Sequence, residues 1–372
     1  MKKAYVYKFK SDVKPWANNG TLDFTDFVET RGSRGGRMVI HGISVHAILN
    51  LTVATAVIQG EDLYRAFRTI TVEQKDGVRR YNEVPGHALR LISYAHNGAD
   101  RTHEHKDAAV STANFTVSAY LPITKRYVHT PEDFGLAAEL LKTVKIACAL
   151  GSDMSLGTSV VTVNSGTYWV IAECHEEMSV IQHAVDEWVV RDFDSTSQSK
   201  LITDGRLHDL YLYIPGANGG QTLANLTEAW IEQLMAQPLL KDPDLLQSYA
   251  RQRMSCMNLF STKGDPLRTD PFLASSTGTL RACAVLLANG IKCYEAPVRD
   301  NVVVKTTQSA ALPANLSMIG RVIKPRSERV RAGIMKRYGL TNSYIRTGGK
   351  TRRETEKWSA DHAAYMPEKF TA

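Results

Sequence analysis

The stretch MVIHGISVHAILNLTV, residues 38–53, alternates with a period of two: Ile43, Val45, Ala47, Leu49, Leu51 and Val53 fall on one side, Ser44, His46, Asn50 and Thr52 on the other. Successive side chains of an extended chain point to opposite faces, so this pattern predicts a half-buried strand. The habit recurs outward from it. Residues 67–73 and 78–84 flank Asp76-Gly77, the turn chemistry of a hairpin. Residues 114–121 put Phe115, Val117, Ala119 and Leu121 on one face and stop at Pro122. Further candidates are 144–150, 159–163, 167–174 and 188–191, with Asn164-Ser165-Gly166 joining the second to the third. The total is eight, the number that two packed four-stranded sheets require.

A polar joint at 193–204 (FDSTSQSKLITD) separates this block from a second one. There, strands are predicted over 207–214, 279–287, 291–295, 302–307 and 316–323, with Asn289-Gly290 as a turn. Helical spacing predicts insertions. One spans 131–141, opened by Pro131, Glu132 and Asp133 and striped by Leu136, Leu140 and Leu141. Two more lie within 222–257: residues 222–235, with Leu223, Leu226, Trp230, Ile231 and Leu234, and residues 242–257. The expected division is an N-terminal basic arm over 1–37, a first sandwich over 38–192, a second over 193–325 with its helical insertion, and a basic helix and tail over 326–372. At 372 residues, 43% hydrophobic and 22% charged, the chain is long enough for two cores and too apolar for disorder throughout.

The five cysteines are odd in number, lack CxxC spacing and mostly sit in apolar runs, which predicts small buried hydrophobes in a reducing cytosol. The basic start MKKAYVYKFK is followed by no signal-type apolar run, so a chain soluble when made is expected.

The net charge of +7 is concentrated at the ends. Between Arg321 and Arg353 lie eleven basic residues against one acid, Glu328, which leaves the rest of the chain slightly acidic. A smaller cluster comprises Lys2, Lys3, Lys8, Lys10 and Lys14. Cationic ends point to phosphate, in lipid headgroups or nucleic acid, with a solvated basic helix and tail that has no partner as the alternative. The expected contact residues are Lys2, Lys3, Lys8, Lys10, Arg329, Arg331, Lys336, Arg337, Lys350, Arg352 and Arg353. Tyr5, Tyr7, Phe9 and Trp16 interleave with the N-terminal lysines. Docking of that arm on a neighbouring subunit is preferred over stacking on bases.

Catalytic signatures are missing. There is no GxSxG elbow, no GxxxxGK[ST] loop and no strand-to-helix GxGxxG. His103-Glu104-His105 has two imidazoles but no third ligand nearby, and Glu173-Cys174-His175-Glu176-Glu177 reads as a strand running into solvent. The glycines of Gly32-Ser33-Arg34-Gly35-Gly36 suit a phosphate cradle, yet they precede a strand rather than a helix, which favours a flexible arm. No catalytic, cofactor or metal residue is assigned, and no enzyme is expected.

The order of elements resembles the double jelly-roll major capsid proteins of tailless icosahedral viruses, especially small bacteriophages with an internal membrane. The likeness rests on the strand at 39–53, the unit LYRAFRTITVEQKDGVRRYNEV (63–84) followed by Pro85-Gly86, and the 115–122 strand with the 131–141 helix. In the second half it rests on GRLHDLYLYI (205–214) with its helices and on the strands within 279–307. The resemblance implies an all-β fold with inserted helices, built as two tandem eight-stranded jelly-roll β-sandwiches. It implies a homotrimer forming a pseudo-hexameric capsomer, with neighbouring capsomers, penton and minor capsid proteins as partners. The chain would reside in the virion shell, its ends turned inward to a lipid membrane or packaged genome. On that view, removing 1–20 and 341–372 is expected to spare the trimer. The competing readings are a two-domain β-sandwich enzyme or carbohydrate-binding protein with a basic tail, and a nucleic-acid-binding protein that uses the 321–353 segment directly.

Overall fold

The stretch read first forms the central strand of the first sandwich. The computed structural model describes residues 6–33, 35–55, 62–89, 92, 110–123, 135–154, 160–177, 184–193, 197–202, 206–213, 226–233, 283–287, 302–308 and 316–325. In chain order the strands are β1 (Val6–Lys10), β2 (Lys14–Pro15), β3 (Thr21–Phe24), β4 (Arg37–Val53), β5 (Phe67–Gln74) and β6 (Arg79–Val84). They continue with β7 (Thr112–Pro122), β8 (Leu136–Ala137), β9 (Leu141–Cys148), β10 (Val161–Glu177), β11 (Ala184–Phe193) and β12 (Ser197–Ile202). The last are β13 (Arg206–Tyr213), β14 (Leu226–Gln233), β15 (Cys283–Leu287), β16 (Val302–Gln308) and β17 (Leu316–Pro325).

Two sheets make the first sandwich. One runs β1-β10-β4-β7, the other β3-β9-β5-β6. Strands adjacent in one sheet are distant in sequence, and the first strand pairs with the last, as in a jelly roll. From one sheet Ile43, Val45, Ala47, Leu49, Val117, Ala119, Val170 and Ala172 point inward. Ile70, Val72, Val144 and Ile146 meet them from the other, all nearly inaccessible to solvent. Each large apolar side chain so buried contributes about 1.5–3 kcal/mol. Two hydroxyls tie the layers across the core: Tyr81 Oη donates to the Pro122 carbonyl at 2.6 Å, and Tyr168 Oη to that of Ala66 at 2.9 Å. The Asp76-Gly77 hairpin forms as expected, with Gly77 at φ +86° and the Val78 amide donating to Asp76 Oδ1.

The second sandwich repeats the plan. β11-β17-β13-β15 corresponds strand for strand to β1-β10-β4-β7, and β12-β16-β14 to β3-β9-β5, so seven of the eight positions lie among the described residues. The fold is thus two tandem jelly rolls. They share a sheet, because β11 runs parallel to β6 with Trp188 opposite Tyr81 and Val189 opposite Asn82. The eight-stranded sheet β15-β13-β17-β11-β6-β5-β9-β3 crosses from one roll into the other, and Trp188 and Ile319 belong to the same apolar cluster as the first core.

Several expectations are corrected. Within the expected arm over 1–37, the described residues from Val6 onward are no arm, since β1, β2 and β3 are built into the two sheets; Tyr7 and Phe9 on β1 pack against their own core. The 188–191 strand, placed at the close of the first block, opens the second roll by pairing with β17 over ten positions. The two candidates at 159–163 and 167–174 are one strand, β10, bent by a bulge near Asn164. The helical stripe Leu136, Leu140 and Leu141 divides among β8, a single 3-10 turn (Ala138–Leu140) and β9. Part of the 222–235 helix is β14, paired with β16. The helix at 242–257, the strand at 291–295 and the basic helix and tail over 326–372 lie outside the described residues.

Candidate assembly surface and charged pole

Strand registers bring the two ends of the described chain to one pole. Val6 opens β1 opposite His175, near the end of β10 and the start of β4. β8 pairs with that same start of β4 at Val39 and Ile40 and leads through one 3-10 turn into β9, where Leu141 meets Gln74 at the end of β5. β6 therefore starts at this pole. β11, parallel to it, starts there too, with Pro325 opposite Ala184. The chain enters β1 and leaves β17 on the same side of the two-roll body.

Of the expected contact residues, Lys8 and Lys10 are described, and both project from the outer face of β1. Lys8 Nζ lies 3.4 Å from Glu173 Oε1 with its own side chain mostly exposed, a pair worth about 0–1 kcal/mol. Lys10 Nζ sits 5.2 Å from the Trp169 ring centroid, and that ring stacks on His46. Lys2, Lys3, Arg329, Arg331, Lys336, Arg337, Lys350, Arg352 and Arg353 lie outside the described residues. Arg321, counted with the basic segment, is fully buried in β17 opposite Trp188 and belongs to the core.

The glycine loop is occupied from within the chain. Gly36 N–H donates to Glu176 Oε1 at 2.7 Å, and a Cβ built on Gly32 or Gly36 would fall within 2.6 Å of the Glu176 side chain. Glycine is needed because backbone and carboxylate approach so closely. Tyr7 Oη donates to the other carboxylate oxygen at 3.2 Å, so Glu176 joins β1, the loop and β10. The suspected phosphate cradle is thus a structural clasp for a side chain of β10.

The other chemistry-bearing groups of this strand end are also placed. His175 stacks on His41 with ring centroids 4.2 Å apart. The Cys174 thiol faces the core, where burial first and the nearby Glu173 charge second push it up to about 12, so it stays protonated at neutral pH. Burial raises the Cys148 thiol as well. No group of three or more metal-ligating side chains occurs among the described residues. His103 and His105 fall outside them.

The far end of the same outer face is a polar ladder across three strands. Asn50 Nδ2 donates to Asn114 Oδ1 at 2.7 Å, Asn164 Nδ2 to Asn50 Oδ1 at 2.8 Å, and the Thr52 and Thr112 hydroxyls pair at 2.9 Å. Sequence reasoning missed that β1 ends this sheet among the described strands. The signal was present in VYKFK, where Tyr7 and Phe9 alternate with Lys8 and Lys10, but it spans only five residues.

No family model matches the sequence, and no curated protein matches it. Solved structures do resemble it. The STIV MCP superposes with a TM-score of 0.57 at 11% identity, covering 86% of this chain and 97% of that one. A chain from the atomic structure of Sulfolobus Turreted Icosahedral Virus gives 0.55 at 11% identity, covering 90% and 96%. The Faustovirus major capsid protein gives 0.50 at 9% identity, covering 87% and 91%. In each case the likeness runs over both rolls. The chain has the double jelly-roll fold seen in these viral capsid structures.

Proposed function

We propose that the chain is a non-enzymatic major capsid protein that trimerises into pseudo-hexameric capsomers and tiles the shell of an icosahedral virus, of the tailless bacteriophage type its sequence resembles. The observation that carries this reading is a pair of like sandwiches joined side by side through one sheet, in a fold shared with solved viral capsid proteins. Three copies would supply six rolls to a ring. The partners are two further copies, adjoining capsomers, penton and minor capsid proteins, and the place of action is the virion shell. We set the boundary between the rolls within 178–183, between β10 and β11, rather than at the polar joint at 193–204.

The shared pole supports an inward orientation of both basic ends. Residues 1–5 precede β1 and residues 326–372 follow β17, so their lysines and arginines are tethered to one side of the body. A membrane or a packaged genome inside the shell is the anionic surface they would meet. Each such residue near anionic lipid contributes about 1 kcal/mol. The enzyme or lectin reading is not favoured, because the structural likeness spans both rolls and comes from capsid proteins.

Light scattering coupled to size separation tests the oligomer. The purified chain is expected to run at three times its 41.3 kDa mass over a broad concentration range. A monomer or a two-fold dimer at every concentration would rule the reading out.

A further inference from the structure

Five Asn-x-Ser/Thr triplets occur in the chain: Asn19-Gly20-Thr21, Asn50-Leu51-Thr52, Asn114-Phe115-Thr116, Asn225-Leu226-Thr227 and Asn315-Leu316-Ser317. None has proline in the middle, so each meets the acceptor rule for N-linked sugar, a bulky group carried on surfaces. Distant in sequence, they converge on the pole opposite Val6 and Pro325. In the first roll β4 ends there beside the start of β7, with Asn50 opposite Asn114. β3 starts there too, where Thr21 pairs with Ala147 near the end of β9. In the second roll Leu316 opens β17 opposite Phe193, the last residue of β11. Residues 194–196 alone separate Phe193 from β12, so Ser197 and its partner Thr307 share that pole, as does Leu226, which opens β14 opposite Gln308. Asn225 and Asn315 lie outside the described residues and directly precede Leu226 and Leu316 in the chain.

We propose that this pole is a glycan-bearing surface and that Asn19 and Asn114 are its acceptors in the first roll. Asn19 stands at φ +53° in a turn closed by the Gly20 amide on the Ala17 carbonyl at 3.0 Å, with its side chain exposed. Its Oδ1 accepts from Arg68 Nη1 at 2.7 Å. Asn114 is exposed on the outer face of β7, and its Oδ1 accepts from Asn50 Nδ2 at 2.7 Å. In both, the oxygen is held while the nitrogen, the atom that takes the sugar, is left to solvent. Asn50 differs. It is half-buried between two asparagines, its nitrogen donating to Asn114 and its oxygen accepting from Asn164. The ladder thus favours Asn114 over its neighbour. A transferase would join Nδ2 to the anomeric carbon of a sugar activated as its nucleotide or lipid diphosphate. The carbon–oxygen bond to phosphate breaks, the diphosphate leaves with the bonding electrons, and the amide proton passes to a base. The inference stands apart from the capsomer reading. With the chain ends turned inward, the sugars would coat the outer side of the shell.

Intact-mass spectrometry and peptide mapping of the chain isolated from the cells that naturally produce it test the assignment. Sugar is expected on both Asn19 and Asn114, with occupancy at Asn114 at least about fivefold above that at Asn50, the ratio implied by the net worth of one hydrogen bond. Thr116→Val removes the hydroxyl of the acceptor triplet but keeps Asn114 and its bond to Asn50. Made in the same cells, that variant should lose the Asn114 sugar and keep the unfolding midpoint seen by circular dichroism. Should it fail to fold, the wild-type map alone decides. Absence of sugar from Asn19 or Asn114, equal modification of Asn50 and Asn114, or a Thr116→Val chain still carrying sugar on Asn114 overturns the proposal. Light scattering on the same sample keeps the two readings apart: a trimer without sugar sinks this inference alone, and a sugar-bearing monomer sinks the capsomer alone.

Discussion

Trp188→Ala is expected to destabilise the protein by about 3–5 kcal/mol, the range for emptying a well-packed aromatic site. Trp188 is 2% exposed, lies on β11 opposite Tyr81 across the parallel seam, and faces Arg321 in the antiparallel register with β17. Its ring belongs to the same apolar cluster as the first core, so the cavity would open where the two rolls are continuous. Two consequences follow for calorimetry. The wild-type chain should unfold in one transition, because a shared sheet and a shared core couple the rolls. The variant should unfold earlier and in two steps. Val160→Ala is the control: that side chain is 59% exposed, and the change should stay within about 0.5 kcal/mol. A Trp188→Ala chain as stable as the control would refute the view of the seam as core.

Deletion of residues 1–20 should abolish folding of the first roll, contrary to the expectation drawn from the sequence. It removes β1 and β2, uncovers the edge of β10, and takes away Tyr7, Phe9 and Trp16, the last of which donates from Nε1 to the Ala149 carbonyl at 3.0 Å. Deletion of 326–372 leaves every described strand in place. That shorter chain should fold and unfold like the full one, yet bind anionic vesicles far more weakly. Binding of the full chain should itself weaken as salt rises beyond about 0.15 M, where the screening length falls to about 8 Å. Circular dichroism and vesicle co-sedimentation separate the outcomes. A soluble, folded chain lacking 1–20 would contradict the placement of β1 in the sheet.

These cases mark what the sequence revealed. β4 was legible almost to its ends, because its inward side chains alternate from Ile43 to Val53 against a continuous core. The hairpin at Asp76-Gly77 was equally plain, since a positive φ at Gly77 is a local demand. Pairing partners were not legible. Nothing in the alternation of Val185, Glu187 and Val189 says that β11 lies beside β6 and β17 rather than β10, and that choice decides which roll owns it. The first block was thus assigned eight strands with the wrong membership: one strand counted twice, one belonging to the second roll, and β1 and β3 left out. At β14, Leu226, Trp230 and Ile231 suit a helix by spacing, but pairing with β16 over Leu226–Gln233 overrides it. Charge was legible as composition alone. Arg321 counted toward a cationic tail, and the ladder between β11 and β13 carries it into the core instead.

The proposed capsomer repeats a unit of two continuous jelly rolls, with both ends of the described chain on one surface. A three-dimensional image of the assembled protein by electron cryomicroscopy tests it most directly. The account predicts six sandwiches around a three-fold axis, with Val6 and Pro325 of every copy on the same, inner surface. Separate two-roll monomers, or an assembly with Val6 and Pro325 on opposite surfaces, would contradict it.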